Sequence, residues 1–226
     1  MLTIAIGDIH GMAAKLEALL ERLEAWLAAN AGREPRRYVL LGDYIDRGPH
    51  SREVLEIVRA LQDDGAVCLR GNHEELMLRA DRSQQDLANF LVNGGEATLA
   101  SLGTRDEFER AKAWMRELAT SYEDELRYFV HAGVMPGEPF EAQNDEIKLW
   151  IRDRFLRHRG AFPKYVVHGH TPTISIDPRQ TTPDIRSNRC NLDTGAGMMG
   201  PLSAAIFDDR RAPPIHTISV MDERFA

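Results

Sequence analysis

Five times along this chain a short apolar run stops at a cluster that sets glycine beside acidic, amide or imidazole side chains. The clusters are Gly7-Asp8-Ile9-His10-Gly11, Gly42-Asp43-Tyr44-Ile45-Asp46-Arg47-Gly48, Gly71-Asn72-His73-Glu74, His131-Ala132-Gly133 and His168-Gly169-His170-Thr171. The runs before them are Leu2-Thr3-Ile4-Ala5-Ile6, Tyr38 to Leu41, Val67 to Leu69, Leu126 to Val130 and Tyr165 to Val167. Apolar runs this short read as buried strands. Two stretches between the first three runs have helical spacing instead. Met12 to Ala29 carries Leu16, Leu19, Leu20, Leu23 and Leu27, and a segment that Ser51 can cap carries Val54, Leu55, Val58 and Leu61. Strand, helix, strand, helix, strand is an α/β pattern, and in α/β sheets ligands bind at the carboxyl ends of strands. A lone Gly-Asp after a strand is usually no more than a turn. Five clusters standing in the same relation to five strands point together to one site.

The rest of the chain reads less sharply. Residues 74 to 120 are mostly helical and polar, with a break at Asn93-Gly94-Gly95 and a helix from about Asp106 to Leu118. They suggest a small helical cap inserted at about 76–120 in a single domain covering 1–226. Ile147 to Leu156 has the pattern of one short, arginine-rich helix. After Pro172 come short strands at Ile174 to Ile176, Cys190 to Leu192, Ser203 to Phe207 and Ile215 to Val220, a meander that completes a second sheet.

The formal net charge of −7 argues against a general nucleic-acid binder. It is compatible with a phosphorylated substrate, because bound cations can supply the local positive charge. The N-terminus lacks a basic region, its apolar stretch ends at Gly7-Asp8, and no stretch is long enough for a membrane helix. The expectation is a cytoplasmic protein with no membrane partner. Cys68 and Cys190 stand in no ligand spacing and suit a reducing compartment, where they stay free.

Carboxylate, amide oxygen and imidazole without thiolate form a donor set suited to manganese, iron or zinc. The five clusters together resemble the motifs of the calcineurin-like metallophosphoesterases, specifically the phosphoprotein phosphatase branch. Asp8-Ile9-His10, Asp43 to Gly48 and Gly71-Asn72-His73-Glu74 match its three N-terminal motifs. His131-Ala132-Gly133 and Gly169-His170-Thr171 match its two C-terminal ones. Asn93-Gly94-Gly95 through Gly103, and Asp193-Thr194-Gly195-Ala196, also look like the bacterial serine/threonine phosphatases of that branch. The resemblance runs from about residue 3 to about 207. It implies a four-layer α-β-β-α sandwich and two divalent metal ions, manganese ahead of iron and zinc. It implies that Asp8 and His10 bind the first metal, Asp43 bridges both, and Asn72, His131 and His170 bind the second, with Asn72 also beside the substrate phosphate.

The same resemblance makes a metal-bridging hydroxide the nucleophile, His73 the general acid and Asp46 its partner. Arg47 would clamp phosphate oxygens. Arg152 resembles a second phosphate-binding arginine, or else belongs to a solvated basic face with Arg154, Arg157 and Arg159. Glu74 reads as an accessory structural acid at a helix start. His168, two residues before His170 and expected to point the same way from an extended strand, reads as a neighbour of the site. His50, His158 and His216 fall in no motif and read as structural or exposed. Gly197-Met198-Met199-Gly200-Pro201 departs from the family pattern, which puts substrate preference in doubt but not hydrolysis. The implied function is phosphomonoester hydrolysis by a serine/threonine protein phosphatase, acting on a phosphorylated protein or a small phosphoester. The alternative is hydrolysis of a dinucleoside polyphosphate such as diadenosine tetraphosphate. A nucleotide phosphodiesterase and an inactive scaffold fit the intact motifs less well.

Overall fold

The computed structural model describes residues 1–221. Strands β1 (Leu2–Ile6), β2 (Arg36–Leu40) and β3 (Val67–Cys68) alternate with helices α1 (Ala13–Asn30) and α2 (Ser51–Asp63). A helical segment follows: α3 (Asn72–Arg79), α4 (Gln84–Phe90), a π-turn at Leu91–Gly95, α5 (Glu96–Leu102) and α6 (Arg105–Arg116). The second half runs β4 (Ser121–Glu123), β5 (Arg127–Val130), α7 (Asp145–Trp150), α8 (Asp153–Leu156), β6 (Tyr165–His168), α9 (Thr173–Ile176), β7 (Asp184–Ile185), β8 (Arg189–Asn191), β9 (Leu202–Phe207) and β10 (His216–Val220). The strands form two five-stranded sheets, in the orders β10-β9-β1-β2-β3 and β4-β5-β6-β8-β7.

Three apolar clusters separate four layers. Side chains alternate faces along a strand, so a central strand such as β1 feeds two clusters. In β1, Ile4 and Ile6 turn outward to join Leu16, Leu19 and Leu23 of α1 and Val54 of α2, while Ala5 turns inward. The inner cluster, between the sheets, joins Ala5, Val39 and Phe207 of one sheet to Phe129, Val167 and Cys190 of the other. The outer face of the second sheet packs Tyr128, Val130 and Val166 against Phe140 and Phe155. This is the expected α-β-β-α sandwich. The segment α3 to α6 contributes Met77, Phe90, Phe108 and Met115 to the same cluster as α1 and α2. Both cysteines are buried and free. No described helix is long and apolar enough to cross a membrane.

Six strands run parallel in two groups of three, β1-β2-β3 and β5-β6-β8. The antiparallel strands β10, β9, β4 and β7 flank them, so the carboxyl ends of the parallel strands form one rim.

Several local expectations need correcting. Thr173–Ile176 is one helical turn, not a strand: Pro172 precedes it, Thr173 N–H is tied to Asp193 O (2.8 Å), and Ile176 is exposed. Ser51 is the first helical residue and not the cap. Its hydroxyl turns inward to accept from Asp46 N (3.3 Å) and meets Thr98 Oγ1 (3.1 Å). The arginine-rich helix is two helices, because the backbone breaks at Ile151 and Arg152. The edge strands β4 and β7 were not foreseen. One is partly polar and the other has two residues, too little for a period-2 pattern to show.

Candidate metal centre and active site

Each parallel strand releases one acid, amide or histidine onto the common rim. Asp8 follows β1, Asp43 follows β2, Asn72 follows β3, His131 follows β5, His170 follows β6 and Asp193 follows β8. All six are buried. Among the described residues, the non-glycine positions with positive φ are His10, Asp43, Asp46, Arg47 and His170. Left-handed backbone costs such residues of order 1–3 kcal/mol each, and all five lie on this rim. Because His170 is left-handed (φ 68°), it does not share a direction with His168. His168 is turned against Phe155, with its Nδ1 on Gly169 O (3.0 Å).

Two groups of donor atoms meet at Asp43. One is His10, Asp43 and His73, and the other is Asp43, His131 and His170. Asp43 Oδ2 lies 3.5 Å from His10 Nε2, and Asp43 Oδ1 lies 3.4 Å from His131 Nε2. Asn72 Oδ1 joins the second group, 2.8 Å from His131 Nε2 and 2.7 Å from His170 Nδ1. Asp8 lies outside both groups. Its Oδ2 accepts from His170 N (3.0 Å), and its Oδ1 is buried without a hydrogen-bond partner. Gly169 permits that approach, since a Cβ there would overlap Asp8 Oδ1.

These residues fit a cation. His131 Nδ1–H donates to Leu41 O (2.9 Å), and His10 Nδ1–H donates to Ile45 O (2.9 Å). Each backbone bond fixes the tautomer that turns the Nε2 lone pair inward. The His131 lone pair therefore faces the Asn72 oxygen, acceptor against acceptor, and a cation between them would satisfy both. Burial lowers the pKa of His10, His131 and His170 and favours the neutral imidazole that ligates metals. Burial, with the Asp193 and Asp43 charges nearby, lifts Asp8 well above the usual carboxylate range. Such crowded carboxylates are what a bound cation would relieve.

Beside the donor groups sit the residues expected to handle substrate. Arg47 spans the two rings, its Nη1 on His10 Nε2 (2.9 Å) and its Nη2 on His73 Nε2 (3.1 Å). His73 Nδ1–H donates to Asp46 Oδ2 (2.7 Å). Burial would lower His73, but Asp43 and the Asp46 bond outweigh it and raise its pKa. Arg152 caps the far rim, donating to His170 O (3.3 Å) and Thr171 Oγ1 (3.2 Å). Glu74 accepts from the backbone N–H groups of Gly71 (2.8 Å), Asp43 (2.9 Å) and Tyr44 (2.9 Å), tying two clusters together. Burial beside Asp43 lifts its pKa to about 7 against those three donors.

Three residues that serve this rim have no role assigned from sequence. Thr98 donates its hydroxyl to Asp46 Oδ1 (2.6 Å) and accepts from Asp46 N (2.8 Å), a contact across 52 residues with no local signal. Lys15, buried in the first turn of α1, donates to Ala196 O (3.0 Å) and Gly200 O (2.8 Å), holding the turn that carries the exposed Met198 and Met199. Asp193 had a signal: it is the first acid after the apolar run Cys190 to Leu192 and opens the Asp193-Thr194-Gly195-Ala196 stretch that resembles the family. His50 and His216 are exposed, and His158 is half-buried against Phe162.

Comparison with known proteins places the chain as a whole. A family model described as calcineurin-like phosphoesterase matches residues 1–194. A symmetrical bis(5'-nucleosyl)-tetraphosphatase of Pseudomonas fluorescens is 32% identical over 138 residues, covering 60% of this chain and 43% of its own. The chain thus spans less than half the length of that relative. An asymmetrical bis(5'-nucleosyl)-tetraphosphatase of Anoxybacillus flavithermus is 28% identical over 95% of this chain and 92% of its own. A crystal structure provisionally assigned to a diadenosine tetraphosphatase shares the fold at a TM-score of 0.64 and 24% identity, covering 97% of this chain and 93% of that one.

Proposed function

The chain belongs to the calcineurin-like phosphoesterase family, and on that premise we propose that it hydrolyses dinucleoside polyphosphates with two divalent cations, manganese first among them. The observation that carries phosphoester hydrolysis is Asp43, shared by two donor groups, with Arg47 and His73 on the same rim. Similarity over nearly the full length of an asymmetrical tetraphosphatase favours the dinucleoside substrate over a phosphoprotein.

Asp8, His10 and Asp43 would hold one cation, and Asp43, Asn72, His131 and His170 the other. When bound, the pair supplies Lewis-acid activation of water and neutralises phosphoryl charge. Arg47 presents two N–H groups as a fork suited to phosphate oxygens. Arg152 adds a second guanidinium from the opposite rim. His73, held by Asp46, donates a proton to the departing oxygen.

Arg152→Ala is expected to raise KM about tenfold with kcat little changed, the effect of one charge-assisted hydrogen bond of about 1.5 kcal/mol. Steady-state kinetics of the variant check this, and an unchanged KM would assign Arg152 to the solvated face.

The substrate reading is tested by comparing turnover of diadenosine tetraphosphate with that of phosphoserine, phosphothreonine and phosphotyrosine peptides, all with manganese-loaded protein. The tetraphosphate is expected to win by more than about tenfold in kcat/KM, 1.4 kcal/mol in the barrier. Its products distinguish two modes: AMP with ATP means asymmetric cleavage, and ADP alone means symmetric cleavage. A phosphopeptide winning by that margin would restore the phosphoprotein reading.

A further inference from the structure

Six parallel strands reach the rim, and five of them end in residues already given a place there. The sixth, β8, is followed by Leu192-Asp193-Thr194-Gly195. Asp193 is 2% exposed. Its Oδ1 accepts from Gly195 N (3.0 Å), closing the turn, while its Oδ2 is buried with no hydrogen-bond partner. The chain before it is pinned on both sides. Leu192 N–H donates to His168 O (2.8 Å), and the Leu192 carbonyl packs where a Cβ on Gly7 would lie, against the residue that precedes Asp8. Behind it, Asp193 N–H donates to Asn191 Oδ1 (3.0 Å). Asp193 is thus delivered beside Asp8, whose own Oδ1 is the other buried carboxylate oxygen of the rim without a hydrogen-bond partner.

We propose that Asp193 is a further acidic residue of the cation centre, adding charge and a free acceptor on the Asp8 side and so strengthening the cation that Asp8 and His10 would hold. This rests on the two-cation reading above. A purely structural aspartate would need only the Oδ1 that closes the turn. A second oxygen, buried and unpartnered, is costly to keep unless something positive satisfies it. The donor types agree: Asn72 is neutral and burial favours the neutral form of His10, His131 and His170, so Asp8 and Asp193 would supply the charge beyond that of Asp43 that a cation pair needs.

The test uses Asp193→Asn in the full chain, which keeps Oδ1 for Gly195 N–H and removes the charge. Chelator-stripped wild-type and variant protein are titrated with manganese chloride by isothermal calorimetry, and the cation-free melting temperatures are compared. The wild type is expected to bind two manganese ions. In the variant one site should weaken about ten- to a hundredfold, as for other groups that support metal ligands, with the second within about twofold. The cation-free variant should melt no lower than the wild type, because a like charge has been removed from beside Asp8. Unchanged affinity at both sites, with two ions bound by the wild type, would overturn the role of Asp193 and leave the cation centre standing. Equal weakening of both sites with a lower cation-free melting temperature would also overturn it, in favour of a structural role. A wild type that binds fewer than two ions would overturn the two-cation reading and this inference together.

Discussion

Asp43→Asn is expected to lower turnover of p-nitrophenyl phosphate at least about a thousandfold, about 4 kcal/mol in the barrier, and to leave the protein depleted of both cations. The reason lies in the sharing. Asp43 Oδ2 faces His10 and His73, and Asp43 Oδ1 faces His131. Losing the charge therefore removes a ligand from both donor groups at once, whereas losing Asn72 or His10 would touch one. Asparagine keeps the shape and can keep the oxygen that accepts His73 N–H (3.0 Å in the wild type), so the turn after β2 should survive. The variant should consequently fold, which far-UV circular dichroism verifies. Metal content after gel filtration, measured by plasma mass spectrometry, is the second readout. A variant that retains two cations and near wild-type turnover would falsify the shared-carboxylate centre.

The sequence made this carboxylate legible, and the reason is physical. A strand buried on both faces must be apolar, so the first polar residue after it is visible against its background. That contrast exposed the five clusters, and within them Asp8, Asp43 and His131 directly; Asn72 behind Arg70, and His170 behind His168, were singled out only by the resemblance to the family motifs. It worked less well at β8, where Cys190 to Leu192 was read as a strand but Asp193 lay in a tail of short elements and carried no histidine beside it. Left-handed backbone at His10, Asp46 and Arg47 left no mark, because strain of that kind is imposed by surrounding contacts rather than by residue type. One such contact is the hydrogen bond from Arg47 N to Gly94 O (3.2 Å), and another is Thr98 against Asp46. Neither is local in sequence. The break at Ile151 and Arg152 was hidden for a related reason: apolar spacing continues through it, but Arg152 is drawn out of the helix toward His170 O and Thr171. Period and punctuation thus found the frame and the clusters, the resemblance chose the donors within them, and neither showed what holds those residues in place.

That distinction governs the pair Asp46 and His73, for which the expected effects depend on the leaving group. His73→Asn should lower kcat by about 10²–10⁴-fold on an alkyl phosphomonoester such as phosphoserine, the range of a lost general acid. On p-nitrophenyl phosphate, whose phenolate departs readily without a proton, the loss should stay under about tenfold. A dinucleoside polyphosphate should respond like p-nitrophenyl phosphate, because its leaving group is a terminal phosphate, about as weak a base as p-nitrophenolate and far weaker than an alkoxide. Asp46→Asn should act through the same proton. His73 has its pKa raised by Asp43 and by the Asp46 bond, so its acid form persists to higher pH than in a free imidazole. Activity that needs this proton is present below the His73 pKa and lost as pH rises through it. Replacing Asp46 removes one of the two raising influences, and the alkaline limb of kcat/KM should move to lower pH. Thr98, which donates to Asp46 Oδ1, would then matter only through Asp46, and Thr98→Ala should shift that limb less than Asp46→Asn does. Profiles of kcat/KM against pH for the three variants on one alkyl monoester check the ordering. Equal losses for His73→Asn on good and poor leaving groups, with an unmoved limb in Asp46→Asn, would return His73 to a purely electrostatic role beside Arg47.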